Sequence, residues 1–131
     1  MEKVFLAPGP KQADFDTLSG TVSTLSRQIT ARNITSDFTL GEKVAQNSQI
    51  VKQGNLIYVA LKLTSLADGD VLVSNLGDYK PIYIGIGSVF KMSDGSTVNG
   101  SIWAESATGK IIYYGSAANF NCSSEFVYMY A

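Results

Sequence analysis

Cys122 is the only thiol in the chain, and there is no histidine to accompany it. A thiol attacks as its thiolate, and without an imidazole beside it nothing here generates one at neutral pH. Cys122 therefore reads as a small, buried or half-buried packing residue. The missing histidine also removes the usual general base and the commonest metal ligand. Eleven Asp and Glu are present. Glycoside hydrolysis needs two carboxylates facing each other across a cleft, and these form no recognisable motif. Asp68-Gly69-Asp70 sets two carboxylates around a glycine, but calcium takes six or more oxygens. Gly85-Ile86-Gly87 is not a dinucleotide fingerprint, because the third glycine is missing and no helix follows. The expectation is a non-enzymatic protein with no cofactor and no metal.

Composition narrows the partners. Net charge is −1 with no basic cluster, which argues against nucleic acid, whose phosphates demand neutralisation. No run of about 18 apolar residues exists, so no membrane insertion is expected. Val4–Ala7 is too brief for a secretory signal, so synthesis in a reducing cytoplasm is expected. The Asn-X-Ser/Thr matches at Asn33, Asn99 and Asn121 then read as chance in a Ser/Thr-rich chain. Only 16% of residues are charged and twelve are glycine, a balance that suits an all-β protein.

The elements that would carry any site fall into three parts. Residues 1–12 read as a flexible arm, set off by Pro8-Gly9-Pro10. Residues 13–33 read as a helical coiled-coil stalk. Phe15, Leu18, Val22, Leu25 and Ile29 recur at spacings of three and four, with Phe15, Val22 and Ile29 at a and Leu18 and Leu25 at d. Asp14 and Asp16 suit the N-terminal dipole of this helix, and Arg27 and Arg32 its C-terminal end, with Asn33 as the stop. The segment is rich in Gly, Ser and Thr, poor helix formers. At roughly 28 Å long (about 1.5 Å per residue), it would be marginal alone in water. Its expected partners are copies of itself; the bland alternative is a single amphipathic helix lying on the sheet.

Residues 34–131 read as an antiparallel β-sandwich or barrel head of about seven to nine strands, with turn signals every 8–12 residues. The expected strands are 34–40, 48–52, 56–64, 71–74, 82–92, 97–105, 111–114 and 125–131, with 115–121 as a loop or short strand. The clearest hairpin surrounds Gln53-Gly54-Asn55. Along its second arm Ile57, Val59, Leu61 and Leu63 share one face. Leu56, Tyr58, Ala60 and Lys62 share the other, which is apolar enough to meet a neighbouring subunit. Gly85 and Gly87 mark a bulge or a close inter-strand approach.

From about Val71 onward the turn pattern resembles the C-terminal head domains of bacteriophage tail-fibre and baseplate receptor-binding proteins. The matching residues are Leu76-Gly77-Asp78-Tyr79-Lys80-Pro81, then Ile82–Phe90, Asp94-Gly95, Gly100-Ser101-Ile102 and Gly109-Lys110-Ile111. The first proline of that family's loop is missing here. The resemblance implies a homotrimer on the virion (tail or capsid surface), made in the host bacterial cytoplasm, that joins other virion proteins and binds a host surface saccharide. The seam alone, with β-branched a and Leu d, leans toward two strands. A structural virion component without a ligand site, such as a capsid head fibre or decoration protein, is the alternative.

Under the saccharide reading, a site needs an aromatic face for sugar C–H groups and planar polar partners for hydroxyls. The candidates are Trp103, Tyr79, Tyr83, Tyr113, Tyr114, Asp78, Asp94 and Asn99. Most have structural duties available too. Tyr113 and Tyr114 are adjacent in a strand and point to opposite faces, so one is expected to be buried. Asp78 and Asp94 occupy turn positions that favour Asp for backbone reasons.

Overall fold

Strict alternation of side chains builds almost everything in the computed structural model, which describes residues 30–131. The predicted arm and the seam Phe15, Leu18, Val22, Leu25 and Ile29 lie outside the described residues. The strands are β1 (Arg32–Asn33), β2 (Gln49–Gln53), β3 (Leu56–Leu66), β4 (Val71–Val73), β5 (Gly85–Lys91), β6 (Thr97–Glu105), β7 (Lys110–Gly115) and β8 (Ala118–Met129). They form one antiparallel eight-stranded sheet in the order β1-β2-β3-β8-β5-β6-β7-β4. The chain is thus mainly β, as expected. It is a single curled sheet, a half-barrel, and not two stacked sheets.

The concave side holds the core. Ile57, Val59, Leu61 and Leu63 of β3 face Tyr128, Phe126, Ser124 and Cys122 of β8 across the ladder, and all eight are buried. Gly85, Gly87 and Val89 continue this face on β5, Ile102 and Ala104 on β6, Ile111 and Tyr113 on β7. Of the two expectations for the glycines of β5, a bulge or a close approach, the structure shows the close approach. A Cβ at Gly87 would stand 2.5 Å from the Phe126 ring and 2.8 Å from Ser124 Oγ, and one at Gly85 2.9 Å from Tyr128 Cβ. β5 and β8 are paired at Lys91↔Cys122 and Phe90↔Ser123. Beyond that point Ser124 Oγ donates to Ser88 O at 2.7 Å, and the two aromatic rings fill the space beside the glycines. A bulge between Ser88 and Phe90 gives β5 its change of register against β6.

Three expectations are corrected. Residues 34–40 are not a strand: Thr35–Asp37 form a 3-10 turn, and Leu40 makes only an isolated bridge to Val73. Polar side chains there compete with a ladder. Asn33 Oδ1 accepts from Thr35 N at 2.9 Å, and Ile50 N donates to Thr35 Oγ1 at 2.8 Å. Secondly, Arg32 and Asn33, assigned to the end of the helix, are strand residues paired with Lys52 and Val51. Thirdly, 115–121 and 125–131 are not separate pieces, because β8 runs unbroken from Ala118 to Met129. Asn121-Cys122-Ser123-Ser124 has weak strand propensity, but its alternation persists and it is paired on both sides.

The segment between β1 and β2 closes the open side of the half-barrel. Gly41 N donates to Leu72 O at 2.7 Å, and Val44 bridges Leu63. Lys43 Nζ meets Asp70 Oδ2 at 2.9 Å. Burial pushes the Asp70 carboxyl up, but the Lys43 ammonium and the Ala67 amide outweigh this and hold it below its ordinary value. Asp68 meanwhile accepts from Gly115 N at 2.9 Å. The two aspartates of this turn therefore serve the backbone and a lysine separately.

Candidate functional site

The sheet has two ends. β1 begins at Arg32 opposite Lys52, next to the Gln53–Asn55 turn. Tyr130 N donates to Asn55 O and Ile82 N to Met129 O, so this near end also holds residues 81–84 and the end of β8. The far end carries the Met92–Ser96 turn and the start of β8, where Met92 N donates to Asn121 O at 2.9 Å.

The structure scatters the sequence-derived candidates between these ends. Asp78 and Tyr79 lie at the near end in a 3-10 turn. Tyr79 packs edge-on against Phe38 and Tyr130 at 5.7 and 5.4 Å, and its carbonyl accepts from Tyr128 Oη at 2.7 Å; it plugs that end of the core. Tyr83, also at the near end, is 76% exposed. Tyr113 is fully buried, and its hydroxyl donates to Ser116 O at 2.5 Å. Asp94 lies in the far turn, where its carboxylate accepts from Ser96 N at 2.9 Å and Ser96 Oγ at 2.7 Å. These bonds from Ser96 hold its carboxyl below the ordinary value. Asn99 contacts Ser116 Oγ at 3.4 Å.

Trp103 and Tyr114 do come together, on the convex face of β6 and β7, with ring centroids 6.0 Å apart in an edge-to-face arrangement. Their polar atoms are already engaged. Trp103 Nε1 donates to Ser101 Oγ at 2.7 Å, Tyr114 Oη to Glu105 Oε2 at 2.8 Å, and Thr108 Oγ1 to Glu105 Oε1 at 2.8 Å. The bond to Glu105 pushes the Tyr114 phenol up. The pair forms a small aromatic platform whose donors are satisfied within the fold.

A polar cleft at the far end was not singled out by the sequence. Two adjoining depressions of about 340 and 570 Å³ share Thr64, Met92 and Asn121. Asn47 and Lys62 line the first, Asn119, Phe120 and Ser93 the second. The side-chain amides of Asn47, Asn119 and Asn121 make no hydrogen bond to any described residue. Phe120 packs partly against the core, with Lys91 Nζ 4.8 Å from its ring centroid. Unpaired planar amides beside an aromatic ring and a thioether can take polyol hydroxyls and C–H faces together. Alternation would mark Asn119 and Asn121 as outward residues of one strand only if that stretch were known to be strand. Asn47 reaches the cleft from a segment with no pattern of its own.

Among the described residues no three metal-ligating side chains cluster, and no helix is long and apolar enough to cross a membrane. No protein-family model and no curated protein matches the chain.

Proposed function

We propose that this protein is a non-enzymatic bacteriophage fibre or receptor-binding protein, a homotrimer on the virion that recognises a host surface saccharide. The observation that carries the reading is the far-end cleft, where the amides of Asn119 and Asn121 line the depression that holds Phe120 and Met92, Asn47 lines the adjoining one, and none of the three bonds to a described residue. Lys43, Lys62 and Glu42 line the cleft beside the amides, and planar amides next to an aromatic ring suit hydroxyl-rich ligands. The cleft also lies at the opposite end of the sheet from β1. Lys62 and Thr64 stand on β3 and Asn119 and Asn121 on β8, and three copies supply avidity to weak sites.

The test is binding of labelled full chain to a panel of bacterial cells, with competition by polysaccharide purified from those cells. Saturable, competed binding that falls at least tenfold in Asn119→Ala/Asn121→Ala supports the reading. A chain that folds but binds no cell favours the structural virion role. Competed binding that ignores both asparagines moves the site elsewhere, with the Trp103–Tyr114 platform next in line.

A further inference from the structure

β3 and β8 also expose an apolar area at the near end of the convex face. Leu56 is paired with Met129 and Tyr58 with Val127, so these four form a block of direct neighbours. Ile82 is tied to Met129 by its backbone. Ile84 and Ile86 are exposed on either side of the inward Gly85, and Ile86 pairs with Trp103. These seven side chains are each 38–55% exposed, and Tyr83 beside them is 76% exposed. None of the eight is charged. At about 150–200 Å² per large apolar side chain, the exposed area is roughly 600–800 Å². That reaches or exceeds the largest patch of an ordinary monomer, about 300–600 Å². It approaches the roughly 800 Å² that one partner contributes to a standard stable interface.

We infer that this face is where copies of the chain meet, burying the β3–β8–β5 apolar block against its equivalents in two other copies. The occupant is identified by two features that coincide. The block is large enough for an interface and carries no charge to pair with an unlike partner. It also lies at the end of the sheet where β1 begins, immediately after the Phe15–Ile29 seam whose expected partners are copies of itself. Lys62 and Glu125, outward on the same two strands, limit the block toward the far end and keep the polar cleft outside the contact.

This inference rests on the homotrimeric reading above, and the experiment separates the two. Light scattering on the full chain reports the number of copies. Maleimide labelling of Val127→Cys, compared with Ser93→Cys in the far turn, reports whether the face is covered. The native Cys122 is buried and reacts slowly in both variants. The expected result is three copies, with Val127→Cys labelled at least tenfold more slowly than Ser93→Cys until dilution dissociates the assembly. Three copies with equal labelling rates would overturn the interface and leave the trimer standing. One copy with fast labelling would overturn both. One copy with slow labelling at every dilution would show residues before Arg32 folded back over the face, and would likewise overturn both.

Discussion

The same two strands carry two opposite surfaces. Outward residues of β3 run Leu56, Tyr58, Ala60, Lys62, Thr64, and those of β8 run Met129, Val127, Glu125, Ser123, Asn121 beside them. Near β1 the ladder is apolar; toward the Met92–Ser96 turn it is polar. The change falls at Tyr58, whose hydroxyl bonds the Glu125 carboxylate. The inward residues show no such change until Ser124 and Cys122, because the core needs apolar volume along its whole length. A pattern present outside and absent inside reflects demands on the surface, and here the demands differ at the two ends: one suits a covered contact, the other a wet ligand.

Substitutions on each surface test that contrast. Gly87→Val reaches beneath both surfaces. Its side chain meets Phe126 and Ser124, and the overpacking should cost about 3 kcal/mol, read as a shift in the urea midpoint. Both ends should then fail together. If only one fails, the two are not mounted on a common β5–β8 seam. Val127→Asp is expected to weaken self-association at least a hundredfold while leaving the circular dichroism of the sheet intact. Asn121→Ala should do the converse: the same mass in light scattering and at least tenfold weaker cell binding. Assembly lost in the second variant or cell binding unchanged in both would dissolve the comparison.

Smaller effects test the boundary and the closing segment. Ser124→Ala leaves Ser88 O without its buried donor and should cost about 1–2 kcal/mol. For Asp70 the native carboxyl titrates below its ordinary value, so its stabilisation is fully present above the ordinary aspartate range. It fades as pH falls through that range toward the lowered native value. The stability gap between the parent and Asp70→Asn, expected to stay below about 1 kcal/mol for a partly exposed pair, should therefore be constant above about pH 5 and close in acid. A gap that widens on acidification would contradict the Lys43 pairing. Tyr58→Phe should change stability least, under about 1 kcal/mol, since water can take over the exposed Glu125 oxygen.

Much of the architecture was legible along the chain because period-two alternation is a local consequence of strand geometry. It assigned Ile57, Val59, Leu61 and Leu63 to the core. It placed the Gln53–Asn55 hairpin, and Gly85 and Gly87, which interrupt the alternation, were marked as a bulge or a close approach, of which the structure has the second. It failed where side chains offered the backbone another partner, as at Asn33 and Thr35. It also failed where a central position overrode weak propensity, as at Asn121–Ser124. The site was less legible. Aromatic and acidic residue types flagged Tyr79, Tyr113 and Asp94, whose contacts are structural, and passed over Asn47, Asn119 and Asn121. A residue type shows what a side chain can bond but not whether the fold has already engaged it.

By itself, then, the sequence determined the class of fold, the inward face of its longest hairpin, and a chemistry with no histidine and a single thiol. Those follow from composition and from spacing within one strand. Which strands became neighbours, that the sheet curls into a half-barrel closed by residues 34–48, and that polar and apolar outward residues segregate to opposite ends were decided only by tertiary pairing. The physical reason is that register between β3 and β8 joins residues more than fifty positions apart, and no local period carries that information.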